Sequence, residues 1–159
     1  RIDNKQRRII MGADLYLNNE YTELNDRLKP KFNDAIAKRD SITDKTSEEY
    51  MFYQDKASKI YNQMNPDSCY FRDSYNHSSV LWALGLSWWK DVIPLLTNDG
   101  SLEPEKAEAL IAMINDADFT DLPKDIEEID ENYFVEKRDA LVKFLQRSVD
   151  EGEGIECSL

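Results

Sequence analysis

Positions 69–77 read Cys-Tyr-Phe-Arg-Asp-Ser-Tyr-Asn-His, which puts a thiol, a guanidinium, a carboxylate, an amide and an imidazole into one short stretch. A Cys69–His77 pair would make a thiolate nucleophile, with Asp73 or Asn76 orienting the imidazole. Asp14 lies on the polar face of a predicted strand and reaches toward the same loop. There it forms either a small polar pocket or a satisfied ion pair with Arg72. Arg72, Asp73, Asn76, His77, Cys69 and Asp14 are therefore the candidate catalytic residues of a small hydrolase or ligand-binding enzyme. The spacing does not demand that chemistry, and the usual signatures around a cysteine nucleophile are missing. The plainer account gives Asn76 or Ser78 to a helix cap, the aromatics to the rim of the core, and Arg72 to a structural carboxylate.

A second constellation is electrostatic. Residues 1–98 hold 14 acidic and 14 basic side chains, whereas residues 99–159 hold 18 acidic and 6 basic and carry the whole net charge of −12. The densest run is Asp116–Glu131. Within it Asp121, Asp125, Glu127, Glu128, Asp130 and Glu131 are the candidate partner-binding residues. Such a surface speeds association with a basic protein and makes it sensitive to salt. A DNA-mimicking inhibitor of a nucleic-acid-binding protein is the sharpest form of that expectation. The competing account is a solvated connector whose carboxylates favour the N-terminus of a helix beginning near Asp130. The leading expectation is thus a non-enzymatic, acidic interaction protein with a basic protein partner, and the hydrolase is its alternative.

Other classes fall away on counts. Five glycines in no GxGxxG or GxxxxGK[ST] arrangement give no phosphate loop. One histidine and two cysteines cannot build a Cys- and His-rich zinc site. Placing Gly100 at the sixth position of a calcium loop puts Leu95 first and Lys106 twelfth, where oxygen ligands are needed, so Asp99-Gly100 reads as an ordinary turn. No metal and no cofactor are expected. Direct nucleic-acid binding needs clustered Lys and Arg, which this charge balance disfavours. The apolar stretch Val80–Leu96 is interrupted by Ser87, Lys90, Asp91 and Pro94, short of the about 20 apolar residues that span a bilayer. No membrane association is expected, and Cys69 and Cys157 read as reduced thiols of a cytoplasmic protein.

These groups need elements to hold them. A hydrophobic fraction of 41% supports one packed domain. Met11–Leu17 alternates apolar and polar residues as a strand does, and so does Ile155–Leu159. Helical spacing marks Glu20–Arg39, interrupted by Pro30, where the helix kinks or begins afresh. It also marks Ser47–Met64, capped by Ser47, then Pro104–Asn115 and Asp130–Asp150. The segment Val80–Trp89 is apolar nearly all round and reads as a central helix with Trp82, Leu84 and Trp88 buried and Gly85 at a close helix crossing. The expected fold is mainly α: a single compact domain of about five helices at 11–159, with a minor two-stranded β element made by the N- and C-terminal segments. Residues 1–10 read as a leader or a basic arm.

Overall fold

A computed structural model describes residues 12–76, 78–119 and 131–159. The fold is mainly helical, and the chain groups into two compact units: Asn19–Cys69, and the chain before it together with Tyr70–Leu159.

The first unit is a helical hairpin of α1 (Asn18–Asp40) and α2 (Glu48–Met64). Leu28 and Ala35 of α1 meet Ala57, Ile60 and Met64 of α2, with Leu24, Phe32 and Ile36 packed at the margin. Those spacings of three, four and seven give each helix one apolar stripe. The Ser47 hydroxyl accepts the Tyr50 N–H at 3.2 Å and starts α2. The α1 helix runs on through Pro30 and does not begin afresh there. The ring removes one backbone donor, and the apolar stripe on both sides of it holds the helix together.

The second unit is built on an antiparallel sheet of β1 (Gly12–Leu17), β2 (Tyr70–Ser74), β3 (Ser101–Leu102) and β4 (Ile155–Ser158), in the order β2-β1-β4-β3. The strands β1 and β4 pair from Asp14↔Ser158 to Leu17↔Ile155. They do not form a two-stranded element, however: β2 adds to the other edge of β1 and β3 to the other edge of β4, making four strands. Ala13, Leu15 and Leu17 on β1, Leu102 on β3 and Ile155 on β4 are fully buried, as one side of a half-buried sheet requires. Two helices, α4 (Pro104–Asp116) and α5 (Glu131–Glu151), pack on each other, and α5 also reaches β2, where Phe144 meets Phe71 at 6.1 Å between ring centres. Gly152, at φ 66°, ends α5: its N–H bonds the Val149 carbonyl and the Glu153 N–H bonds the Ser148 carbonyl. That paired closure needs a left-handed residue, which glycine adopts freely.

Between β2 and β3 the expected central helix is broken into short turns. Helix α3 covers only Val80–Ala83. Gly85 stands at φ 72°, with its N–H bonded to the Trp82 carbonyl and the Leu86 N–H to the Leu81 carbonyl. Gly85 is therefore the stop signal of α3, not a crossing point. A π-helical turn, Trp88–Val92, and a 3-10 turn, Ile93–Leu95, follow. Breaking the helix turns two of its three indoles outward: Trp88 is 2% exposed, whereas Trp82 is 45% and Trp89 58% exposed. Trp82 thus departs from the buried position expected for it, while Leu84 and Trp88 are buried. No helix among the described residues is long and apolar enough to cross a membrane.

Candidate functional site

Strand β2 sorts neighbouring residues onto opposite faces of the sheet. Tyr70 and Arg72 face one way, Phe71 and Asp73 the other, because successive side chains alternate. Two polar clusters therefore stand back to back.

On the outer face Asp14 lies directly across from Arg72 in the β1–β2 register. The Arg72 Nε is 3.7 Å from Asp14 Oδ1, and the Tyr70 hydroxyl donates to the same oxygen at 2.6 Å. Burial, and then the bond to Asp14, push the Tyr70 hydroxyl well above its ordinary value, so it remains a donor at neutral pH. Burial and the Asp14 charge raise Tyr75 in the same direction. Gly12 leaves room for the guanidinium. A Cβ there would sit 2.5 Å from the Asp73 carbonyl oxygen and 3.0 Å from Arg72 Nε.

On the inner face the Asp73 carboxylate, 1% exposed, accepts four hydrogen bonds. Its Oδ1 takes the Val80 N–H at 3.1 Å and the Lys137 ammonium at 3.0 Å. Its Oδ2 takes the Ser79 hydroxyl and the Trp88 indole N–H, both at 2.8 Å. Lys137 also donates to the Tyr133 hydroxyl at 3.1 Å. Burial opposes the Lys137 charge, but Asp73 and Tyr133 outweigh it and hold the ammonium above its ordinary value. One side chain thus ties β2 to the start of α3, to the π-helical turn and to α5. A carboxylate so enclosed and so fully hydrogen-bonded positions the groups that donate to it.

Above this network lies a cleft of about 70 Å³ walled by Tyr75, Trp82, Trp88 and Trp89, with Ser79 and Ser87 contributing polar atoms. The Tyr75 and Trp89 rings are 5.6 Å apart. Ser79 caps α3 by accepting the Trp82 N–H, and Ser87 caps the π-helical turn by accepting the Trp89 and Lys90 N–H groups. Asp91 closes that turn by accepting the Ser87 N–H at 2.8 Å.

No family model matches this chain, and neither a curated protein nor a solved structure is detectably similar to it.

Among the residues singled out from sequence, Asp14 and Arg72 come together and Asp73 is turned away from them. Asn76 is a turn residue whose side-chain oxygen accepts from the Ser78 N–H and hydroxyl and from Ser74. The cap of α3 is Ser79, not Asn76 or Ser78. Cys69 is fully buried, and both cysteines are free thiols. Burial pushes Cys157 up to about 12, which leaves little thiolate at neutral pH. His77, Asp121, Asp125, Glu127, Glu128 and Asp130 lie outside the described residues, as does the side chain of Glu131 at the start of α5. No group of three or more His, Cys, Asp or Glu among the described residues is arranged to hold a metal ion.

Lys137, Tyr133, Tyr70 and Ser79 escaped the sequence reading. For Lys137 a signal exists. It falls three residues after Phe134 and four before Leu141, both fully buried, so the apolar stripe of α5 runs along it. A lysine at a core position implies a buried carboxylate partner. Two wider grooves, about 260 Å³ beside Phe32 and Gln54 and about 630 Å³ beside Arg138 and Gln146, gather none of the candidate catalytic residues.

Proposed function

We propose that this chain is a non-enzymatic interaction protein that binds a basic protein partner. The observation that carries the reading is the pair of exposed indoles, Trp82 and Trp89, seated on turns braced by the buried Asp73 network. Large aromatic side chains held rigidly at a surface are the usual anchors of protein interfaces. The net charge of −12, all of it contributed by residues 99–159, supplies the attraction for a partner of opposite sign.

The test is kinetic. A partner captured from the native source at low salt and released at high salt is measured against wild type and a variant carrying Asp125→Asn, Glu127→Gln, Glu128→Gln and Glu131→Gln. Association should slow and its salt dependence should flatten, because such charges act mainly on the encounter rate. Unchanged rates and salt slopes would remove the acidic run from the reading. In the DNA-mimicking form of the proposal, duplex DNA competes with the chain for that partner.

A second reading, a ligand-binding enzyme worked from the Arg72–His77 loop, draws on the pairing of Asp14 with Arg72 under the Tyr70 hydroxyl. Its weakness is that Asp73 and Cys69 are enclosed.

A further inference from the structure

We propose that the cleft between Tyr75, Trp82, Trp88 and Trp89 is an aromatic cage for the ammonium group of a lysine side chain on the basic partner. The proposal rests on the interaction reading above and narrows it to one contact.

Size excludes most other occupants. Sites for cofactors and comparable ligands run from about 300 to 1,000 Å³, whereas this cleft holds about 70 Å³. It still exceeds the roughly 10–15 Å³ that a single water needs. A space between those limits fits the end of one side chain. The walls then choose its chemistry. Three indoles and a phenol line it, and indole is the strongest attractor of cations among the aromatic side chains. Every residue lining the cleft is uncharged, the Lys137 ammonium bound to Asp73 behind it is paired with that carboxylate, and the net charge of −12 favours a cation at long range. Ser79 adds to the lining an oxygen with one acceptor position left beside the Trp82 N–H, whereas Ser87 already accepts two backbone N–H groups. The Tyr75 hydroxyl is buried without a hydrogen-bond partner among the described residues.

The frame is also built in advance. Trp88 is pinned by its indole N–H to Asp73, and Trp82 and Trp89 follow turns capped by Ser79 and Ser87. Rings already in place leave less freedom to be lost on binding. Exposures of 45% and 58% at Trp82 and Trp89 leave the mouth of the cage open.

The three tryptophans give three indole N–H resonances in ¹⁵N-labelled protein. These are followed during titration with Nα-acetyl-lysine amide, its Nζ-acetylated form and Nα-acetyl-norleucine amide at constant ionic strength. The lysine probe should shift the Trp82 and Trp89 signals saturably, and the two uncharged probes should bind at least tenfold more weakly. Trp82→Ala and Trp89→Ala should each weaken lysine binding about tenfold while the thermal midpoint stays near wild type. Equal binding of norleucine would make the cleft an apolar pocket and overturn the cage, as would unchanged lysine binding by both variants. Partner binding separates the two levels of the argument. If both tryptophan variants bind the partner like wild type while the four-carboxylate variant associates slowly, the cage falls and the interaction reading stands. If neither kind of change alters partner binding, both fall.

Discussion

Asp14 and Asp73 stand on adjacent strands one position out of register, Asp14 opposite Arg72 and Asp73 opposite Ala13. The pleat sends them to opposite faces, and their fates diverge. Asp73 is enclosed and takes four donors, one of them the Lys137 ammonium, which joins β2, α3, the π-helical turn and α5. The Asp14 side chain stays 15% exposed beside an Arg72 that is 48% exposed, with Tyr70 as its one close donor among the described residues. The same functional group thus fixes the architecture on one face and remains available to solvent on the other. The difference teaches that a carboxylate's role here is set by the face it is sent to, not by the residues beside it in sequence.

The comparison breaks most directly at Asp73. Asp73→Ala should destabilise the protein by about 3–5 kcal/mol, because it strands a buried ammonium and removes the acceptor of three further donors. Urea unfolding measures this. Adding Lys137→Met should recover part of the loss, since the uncompensated charge goes with it. A cost under about 1 kcal/mol for the single variant would mean that the inner face is no different from the outer one.

Gly12 touches both faces at once. A methyl group there meets the Asp73 backbone carbonyl, which cannot swing away, and the Arg72 side chain, which can. Gly12→Ala should cost about 1–3 kcal/mol, the usual penalty for overfilling a packed site. It should also push Arg72 off Asp14, so that a following Arg72→Ala costs nothing more. If Gly12→Ala leaves stability unchanged, β1 and β2 do not approach as closely as described.

How much of this arrangement could be read from residue order follows from the same contrast. Elements with one apolar stripe were legible: α2 begins at the Ser47 cap, α4 at Pro104, and β1 and β4 alternate. The strand β2 was not, because its most buried position is Asp73 and its most exposed is Arg72. Polarity gives no alternation when the inward residue is a charged one. The segment Val80–Leu96 failed for the opposite reason. Apolar residues on every side define no face, so the two breaks at Gly85 and Ser87 decide its shape. Asp14 and Arg72 were legible as neighbours because strand alternation put Asp14 on the polar side. The Asp73 network was not, since it depends on Lys137 from 64 positions further along the chain.

The smallest effect, and the finest test of the contrast, lies at Tyr70. Removing its hydroxyl deletes one hydrogen bond to a carboxylate that keeps solvent and Arg72 within reach. Tyr70→Phe should therefore cost only about 0.5–1.5 kcal/mol at neutral pH. Its pH dependence carries a sign. The folded protein holds the Tyr70 proton more tightly than the unfolded chain does, so the stability this contributes is present below the ordinary phenol value of 10.0 and is lost as pH rises above it. Lys137, raised from 10.5, and Cys157, raised from 9.0 to about 12, add alkaline losses of the same sign. Both persist in the Tyr70→Phe protein, so the difference between the two proteins isolates the phenol. The stability gap between wild type and Tyr70→Phe should hold steady from pH 7 to about pH 9 and then narrow between about pH 10 and pH 11, followed by urea midpoints at each pH. A gap that stays constant or widens there would show that Tyr70 does not hold its proton against Asp14, and the outer cluster would lose its one strong internal bond.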